Sequence, residues 1–204
     1  MSKIGVIGAG AWGTALAQIL ANDEKDVTLW ARTPEIVATI EAMQENDKYL
    51  SGIRLNDSLK VTESLTKAAG ADILLLVTPA QHVRKTLEAL KGEVSNGKPV
   101  VICAKGIELE SGLLMSQVAK SVIPNGQFAI MTGPTFALEI AKGSPSAVTL
   151  AMDDKDLGRE VCEKLSVRQL RPYYSDDVLG AQIGGAVKNV IAIASGIIDG
   201  LNLG

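Results

Sequence analysis

The feature that most restricts how this chain can fold is a glycine-spaced turn at its start. Residues 3–7 are a short apolar run; Gly8-Ala9-Gly10-Ala11-Trp12-Gly13 follows it directly and opens a helical stretch over 11–21. The spacing has a mechanical meaning. Gly8 permits a tight turn, Gly10 lets the backbone approach a pyrophosphate, and Gly13 lets helix and strand pack closely. From Ala11 onward, the helix N-terminus turns unpaired N–H groups and a positive dipole end towards the phosphates. The same triplet can be a plain junction between core elements. Its place between a strand and a helix is what points to a dinucleotide.

The rest of the chain repeats the alternation. Apolar runs of strand length occupy 26–30, 72–77, 99–104, 128–131 and 147–152. Helical stretches lie between them, one opened by Pro34 at its first turn and others over 81–90, 112–122 and 156–165. This order predicts an α/β fold, a Rossmann-type doubly wound, mostly parallel sheet with right-handed crossovers. Residues 168–174 read as a further strand near an edge, because Pro172 cannot donate to a central ladder. Residues 49–62 are irregular and are expected to form a loop with short extended pieces. With 47% apolar and only 3% aromatic residues, the composition suits buried parallel strands covered by helices.

Residues 180–204 are mostly apolar and about as long as a membrane span. Lys188, Asn189 and Asp199 lie inside that segment, and a lysine or aspartate at mid-bilayer is costly. A buried helix in a soluble protein, without membrane insertion, is therefore the expectation. This helix begins near Asp177 and breaks the alternating pattern. The predicted division is a dinucleotide-binding domain over 1–178 and, over 179–204, the first helix of a truncated all-α substrate domain whose remainder is absent. A net charge of −3 with scattered Lys and Arg leaves no footprint for nucleic acid. Two cysteines, Cys103 and Cys162, neither build a disulfide framework nor have metal-ligand spacing, so no metal is expected and a reducing cytoplasm is the default location.

Three cations stand out. About 20 residues past the glycines, where an NAD site places a carboxylate for the ribose, the chain has Trp30-Ala31-Arg32-Thr33. A guanidinium there can pair with a 2′-phosphate, which favours NADP over NAD. Lys105, in the run Cys103-Ala104-Lys105-Gly106-Ile107-Glu108, follows a buried strand at the sheet edge that faces the ligand crevice. Lys188 is the one cation in the apolar run 183–191, and burial there would lower its pKa towards a value useful for proton transfer. Asn189 beside it can hold a substrate hydroxyl.

Four blocks then match a known family: GAGAWGTALA from Gly8, AKGIE from Ala104, GPTFALEIAKGSPSAV from Gly133 and GGAVKNVIAIASGIIDGLNLG from Gly184. In this order they resemble the N-terminal portion of bacterial NAD(P)-dependent glycerol-3-phosphate dehydrogenases. The resemblance implies interconversion of dihydroxyacetone phosphate and sn-glycerol 3-phosphate for glycerophospholipid synthesis, and a homodimer at full length. It further implies that Lys188 is the general acid/base, that Lys105 touches substrate and cofactor together, that Gly133, Thr135 and Asn189 help hold the substrate, and that Trp12, Arg32 and Ala137 line the dinucleotide. Leu138 stands where many relatives carry Lys, a peripheral change. The family's helical domain supplies an Asp and an Arg-Asn pair that this sequence lacks, so cofactor binding, but not catalysis, is expected of the present residues alone.

Two other readings share some of these features. A hydroxyacid or 6-phosphogluconate dehydrogenase relative has a Lys-Asn pair on a long helix but not the GPTFA and AKGIE blocks. A non-catalytic dinucleotide-binding module needs only the glycine turn. His82, the only histidine, is expected at a helix start on the surface, and Tyr173 and Tyr174 are expected to pack rather than stack.

Overall fold

A computed structural model describes residues 2–94 and 97–203; Gly204, with which the last predicted helix ends, lies outside them. The chain starts with β1 (Lys3–Ile7), α1 (Ala11–Asn22), β2 (Asp26–Trp30) and α2 (Pro34–Met43). Pro34 sits in the first turn of α2, where its missing N–H costs no hydrogen bond. Next come α3 (Asp47–Leu50), β3 (Lys60–Thr62), α4 (Leu65–Ala69), β4 (Ile73–Leu76) and, after a turn of 3-10 helix at Ala80–His82, α5 (Val83–Leu90). The second half runs β5 (Pro99–Ile102), α6 (Met115–Val122), β6 (Gln127–Thr132), α7 (Ala137–Ala141), β7 (Ser146–Met152), α8 (Lys155–Leu165), β8 (Leu170–Ser175) and α9 (Val178–Gly200).

The strands form one sheet in the order β3-β2-β1-β4-β5-β6-β7-β8. The first six are parallel, β7 is antiparallel to β6, and β8 runs parallel to β7. In the order β3-β2-β1-β4-β5-β6 the chain winds outwards in both directions from β1, which opens a crevice at the carboxyl ends of the central strands. β8 closes the far edge, so Pro172 takes its expected edge position.

Every side chain of β4 is buried, and successive residues serve opposite faces. Ile73 and Leu75 join one apolar cluster with Leu16 and Leu20 of α1 and Val161 of α8. Leu74 and Leu76 join another with Leu87 of α5, Val118 of α6 and Ile130 of β6. Helices cover both faces, which is why these strands read as unbroken apolar runs. Each fully buried Leu or Ile stabilises the fold by about 1.5–3 kcal/mol relative to exposure.

α9 departs from the expectation of a buried helix. Val178 and Ala181 pack on the second cluster, but Gln182 is the only buried residue of α9. Ile183, Val187, Val190, Ile191, Ile193, Ile197 and Ile198 are all exposed. The physical reason is length: its 23 residues extend about 34 Å, whereas the six of β6 span about 20 Å. α9 is also the one helix among the described residues long and apolar enough to cross a membrane.

Candidate functional site

The ends of four parallel strands meet at the crevice. Gly8 N–H donates to the Trp30 carbonyl (3.1 Å), Val77 N–H to Ile7 (2.9 Å) and Cys103 N–H to Leu76 (2.9 Å). The pairing continues one residue past each strand and sets the loops after β1, β2, β4 and β5 side by side. They surround a cleft of about 620 Å³ lined by Ala9, Gly10 and Trp12, by Trp30, Ala31 and Arg32, by Val77 to Ala80 and His82, and by Cys103 to Lys105 with Thr135.

The glycine turn leaves open space at the start of α1. Gly8 adopts φ +124°, a region that side chains rarely reach. A Cβ on Gly13 would overlap the Gly8 carbonyl oxygen, so α1 packs against the turn as closely as the spacing predicts. A Cβ on Gly10 would meet nothing within 4 Å: open space lies where a pyrophosphate would rest. No side chain caps the first turn of α1, so its N–H groups from Ala11 face that space. Thus the residues present fit a dinucleotide. Gly10, Trp12 and Arg32 line the cleft, Gly8 and Gly13 shape it from beneath, and Ala137 heads α7 and packs on the buried cluster that Trp12 also touches.

A buried asparagine braces the turn, and the sequence reading passed over it. Asn46 is only 1% exposed, and its amide donates to the Ala9 carbonyl (3.0 Å) and the Thr14 hydroxyl (2.8 Å). It lies just ahead of α3, in a stretch without periodicity. One polar residue inside the polar run Gln44-Glu45-Asn46-Asp47-Lys48 gives no signal of burial. Tyr49, also from α3, joins the cleft lining.

At the other end of the cleft, Lys105 Nζ donates to the Gly133 carbonyl at 3.2 Å. Partial desolvation, and then the neighbouring Lys188 ammonium, hold Lys105 below the ordinary lysine pKa. Gly185 makes this approach possible: a Cβ there would lie 3.0 Å from the Thr132 hydroxyl and 3.7 Å from Lys105 Cγ. α9 therefore crosses the end of β6 closely enough to bring Lys188 within electrostatic reach of Lys105. The burial expected for Lys188 is not found. Lys188 and Asn189 are exposed, for the reason that most of α9 is, and neither is part of the cleft lining.

Burial pushes the Cys103 thiol up to about 12, consistent with an unreactive core residue. His82 is exposed, as expected of a helix start, and also lines the cleft. The Tyr174 hydroxyl donates to the Met152 carbonyl (3.1 Å) as part of edge packing. Tyr173 is exposed with the Arg171 guanidinium 5.3 Å from its ring centre. Leu138 is exposed, in keeping with a peripheral position.

The family model described as NAD-dependent glycerol-3-phosphate dehydrogenase N-terminus matches residues 3–158, and the corresponding C-terminus model matches 177–204. Glycerol-3-phosphate dehydrogenase (NAD(P)+) of Parvibaculum lavamentivorans is 48% identical over 99% of this chain and 61% of its own length. The enzyme of that name from Paramagnetospirillum magneticum is 50% identical over 100% of this chain and 74% of its own. The crystal structure of glycerol-3-phosphate dehydrogenase from Coxiella burnetii superimposes with a TM-score of 0.90 at 32% identity, covering 100% of this chain and 62% of that one. The chain thus spans about three-fifths to three-quarters of the length of these relatives. With three-quarters of a half-identical relative covered and the N-terminal family model matched across the sheet, the chain belongs to the NAD-dependent glycerol-3-phosphate dehydrogenase family.

Proposed function

We propose that this chain binds NAD(P)H in the cleft over the glycine turn. In a protein of its relatives' full length, the same site interconverts dihydroxyacetone phosphate and sn-glycerol 3-phosphate. The observation that carries this reading is the approach of Lys188 to Lys105, which is itself fixed to Gly133 at the end of the cleft. Two neighbouring ammonium groups repel each other, and a doubly charged phosphate ester relieves that repulsion. They also suit the chemistry, because an alkoxide develops on C2 as the ketone is reduced and must be stabilised and protonated.

When bound, the nicotinamide supplies the hydride for reduction and takes it back in the reverse direction. Lys188 is assigned the proton transfer at the C2 oxygen. Lys105 stabilises negative charge on that oxygen and contacts the cofactor, while Gly133, Thr135 and Asn189 help to orient the substrate. Arg32 at the cleft wall gives the adenosine 2′-phosphate a cationic partner, which favours NADP. Lys188 and Asp199 within α9 favour cover by protein rather than lipid, consistent with a cytoplasmic protein that is a homodimer at full length. In this reading 1–178 form the cofactor-binding domain and 179–204 begin the substrate domain.

Trp12 and Trp30 are the chain's two tryptophans and both line the cleft. NADPH added to this chain should quench their emission and produce sensitised nicotinamide fluorescence. No transfer at saturating concentrations would remove the cofactor assignment. Arg32→Glu should weaken NADPH more than NADH, and equal losses would end the NADP preference. At full length, Lys188→Ala should abolish NADPH oxidation with dihydroxyacetone phosphate yet leave NADPH binding nearly unchanged.

A further inference from the structure

Lys105 stands at the root of a loop that hydrophobic burial cannot hold. Between β5 and α6, Ile107 is 47% and Leu109 86% exposed. The loop pivots at Gly106, whose φ of +140° lies outside the range of ordinary side chains. Poorly packed loops open easily unless something else pins them. Here the pin is polar. Glu108 is buried, and its carboxylate accepts from Arg84 Nε (3.0 Å) and Nη2 (2.7 Å) on α5 and from the Ser111 hydroxyl. The Arg84 Nη1 reaches on to Ser121 of α6 at 3.1 Å. Gln81 clasps the same loop from its other side, donating to the Ile107 carbonyl (2.8 Å) and accepting from Leu109 N–H (3.0 Å).

We propose that Glu108, clamped by Arg84 and Ser111, is a positioning residue that sets Lys105 against Gly133 and Lys188. The inference rests on the role assigned above to Lys105, but concerns how that side chain is placed. A bidentate guanidinium–carboxylate pair fixes direction as well as distance. Only Gly106 and Ile107 separate the clamped residue from Lys105, so the clamp limits where the loop can leave the strand. If it is cut, the Gly106 pivot is free to carry the ammonium into water. The groups facing Lys105 are Lys188 of α9, Cys103 just past β5 and the Gly133 carbonyl, and the clamp alters none of them directly.

Acylation of Lys105 by acetic anhydride, followed by mass spectrometry across pH on this chain, tests the idea without cofactor or substrate. Rates are normalised to exposed Lys155. In the wild type the Lys105 profile should have its midpoint below that of an ordinary lysine, about 10.4. Glu108→Ala should move the midpoint upwards by about half a unit or more, so the unprotonated amine fraction near pH 8 falls roughly threefold. Glu108→Gln, which keeps the shape and part of the bonding, should fall between the two. Should thermal melting show that Glu108→Ala is unfolded, Ser111→Ala and Gln81→Ala provide gentler cuts with a shift in the same direction. An unchanged midpoint in folded variants overturns the proposal. Loss of NADPH binding by the wild type would instead overturn the cofactor reading and leave this test intact.

Discussion

The core between the sheet and its covering helices and the outer half of α9 are made of the same residue types and meet opposite fates. Leu16, Leu20, Ile73 and Leu75 are at most 1% exposed, whereas Val190 and Ile193 are 68% and 63% exposed. Apolar periodicity states that an element favours cover; it does not state whether cover is present. In the sheet, helices on both faces supply it within the described residues. Along α9 they do so only for the first turns, where Val178 and Ala181 meet the cluster around Phe128 and Ile130.

Truncating one residue from each region is the strongest way to break this contrast. Leu75→Ala should destabilise by about 2–5 kcal/mol, while Val190→Ala should stay within about 0.5 kcal/mol, both read from urea denaturation midpoints. A comparable loss at Val190 would mean that α9 is covered in solution. The glycines give a second, smaller contrast. Gly13→Ala must displace the Gly8 carbonyl, at a cost of about 1–3 kcal/mol, and should also abolish NADPH-dependent quenching. Gly196→Ala meets nothing within 4 Å and should stabilise α9 by about 1 kcal/mol.

Gln182 ties α9 to α6 and gives a local effect. It is 7% exposed; its amide donates to the Ser116 hydroxyl (2.9 Å) and its carbonyl accepts from Ser116 N–H (2.8 Å). Gln182→Met keeps the volume but leaves Ser116 without these partners, a loss of about 1 kcal/mol. Amide exchange should accelerate in the first half of α9 and not in β1; equal acceleration in both would deny Gln182 the part of a local anchor.

What the sequence made legible follows the same division. β1 and β2 occupy the residues expected of them because each is a short run carrying buried apolar residues, Ile4, Val6 and Ile7 in one and Val27 and Leu29 in the other, next to turn residues. The glycine turn was readable because each glycine has a separate mechanical task. α3 and α7, of four and five residues, are too short to show a helical period, and the three residues of β3 hide in the irregular stretch. Lys188 lies on the helix that the sequence predicts, but the apolar neighbours that suggest its burial, Val187, Val190 and Ile191, are exposed themselves. Asn46 and Glu108 act through partners 37 and 24 residues away, and local pattern carries no trace of such pairs.

The single antiparallel pairing in the sheet decides where α9 arrives. Because β7 reverses direction and β8 follows it, the chain leaves β8 at the rim remote from the cleft. α9 must then travel back across the face of β6, and it passes Thr132 at Gly185, in its third turn. Had β7 kept the common direction, the helix would have set out from the cleft itself, and Lys188 would stand about 10 Å further along its axis. One reversed strand thus serves as a spacer that times the arrival of a lysine.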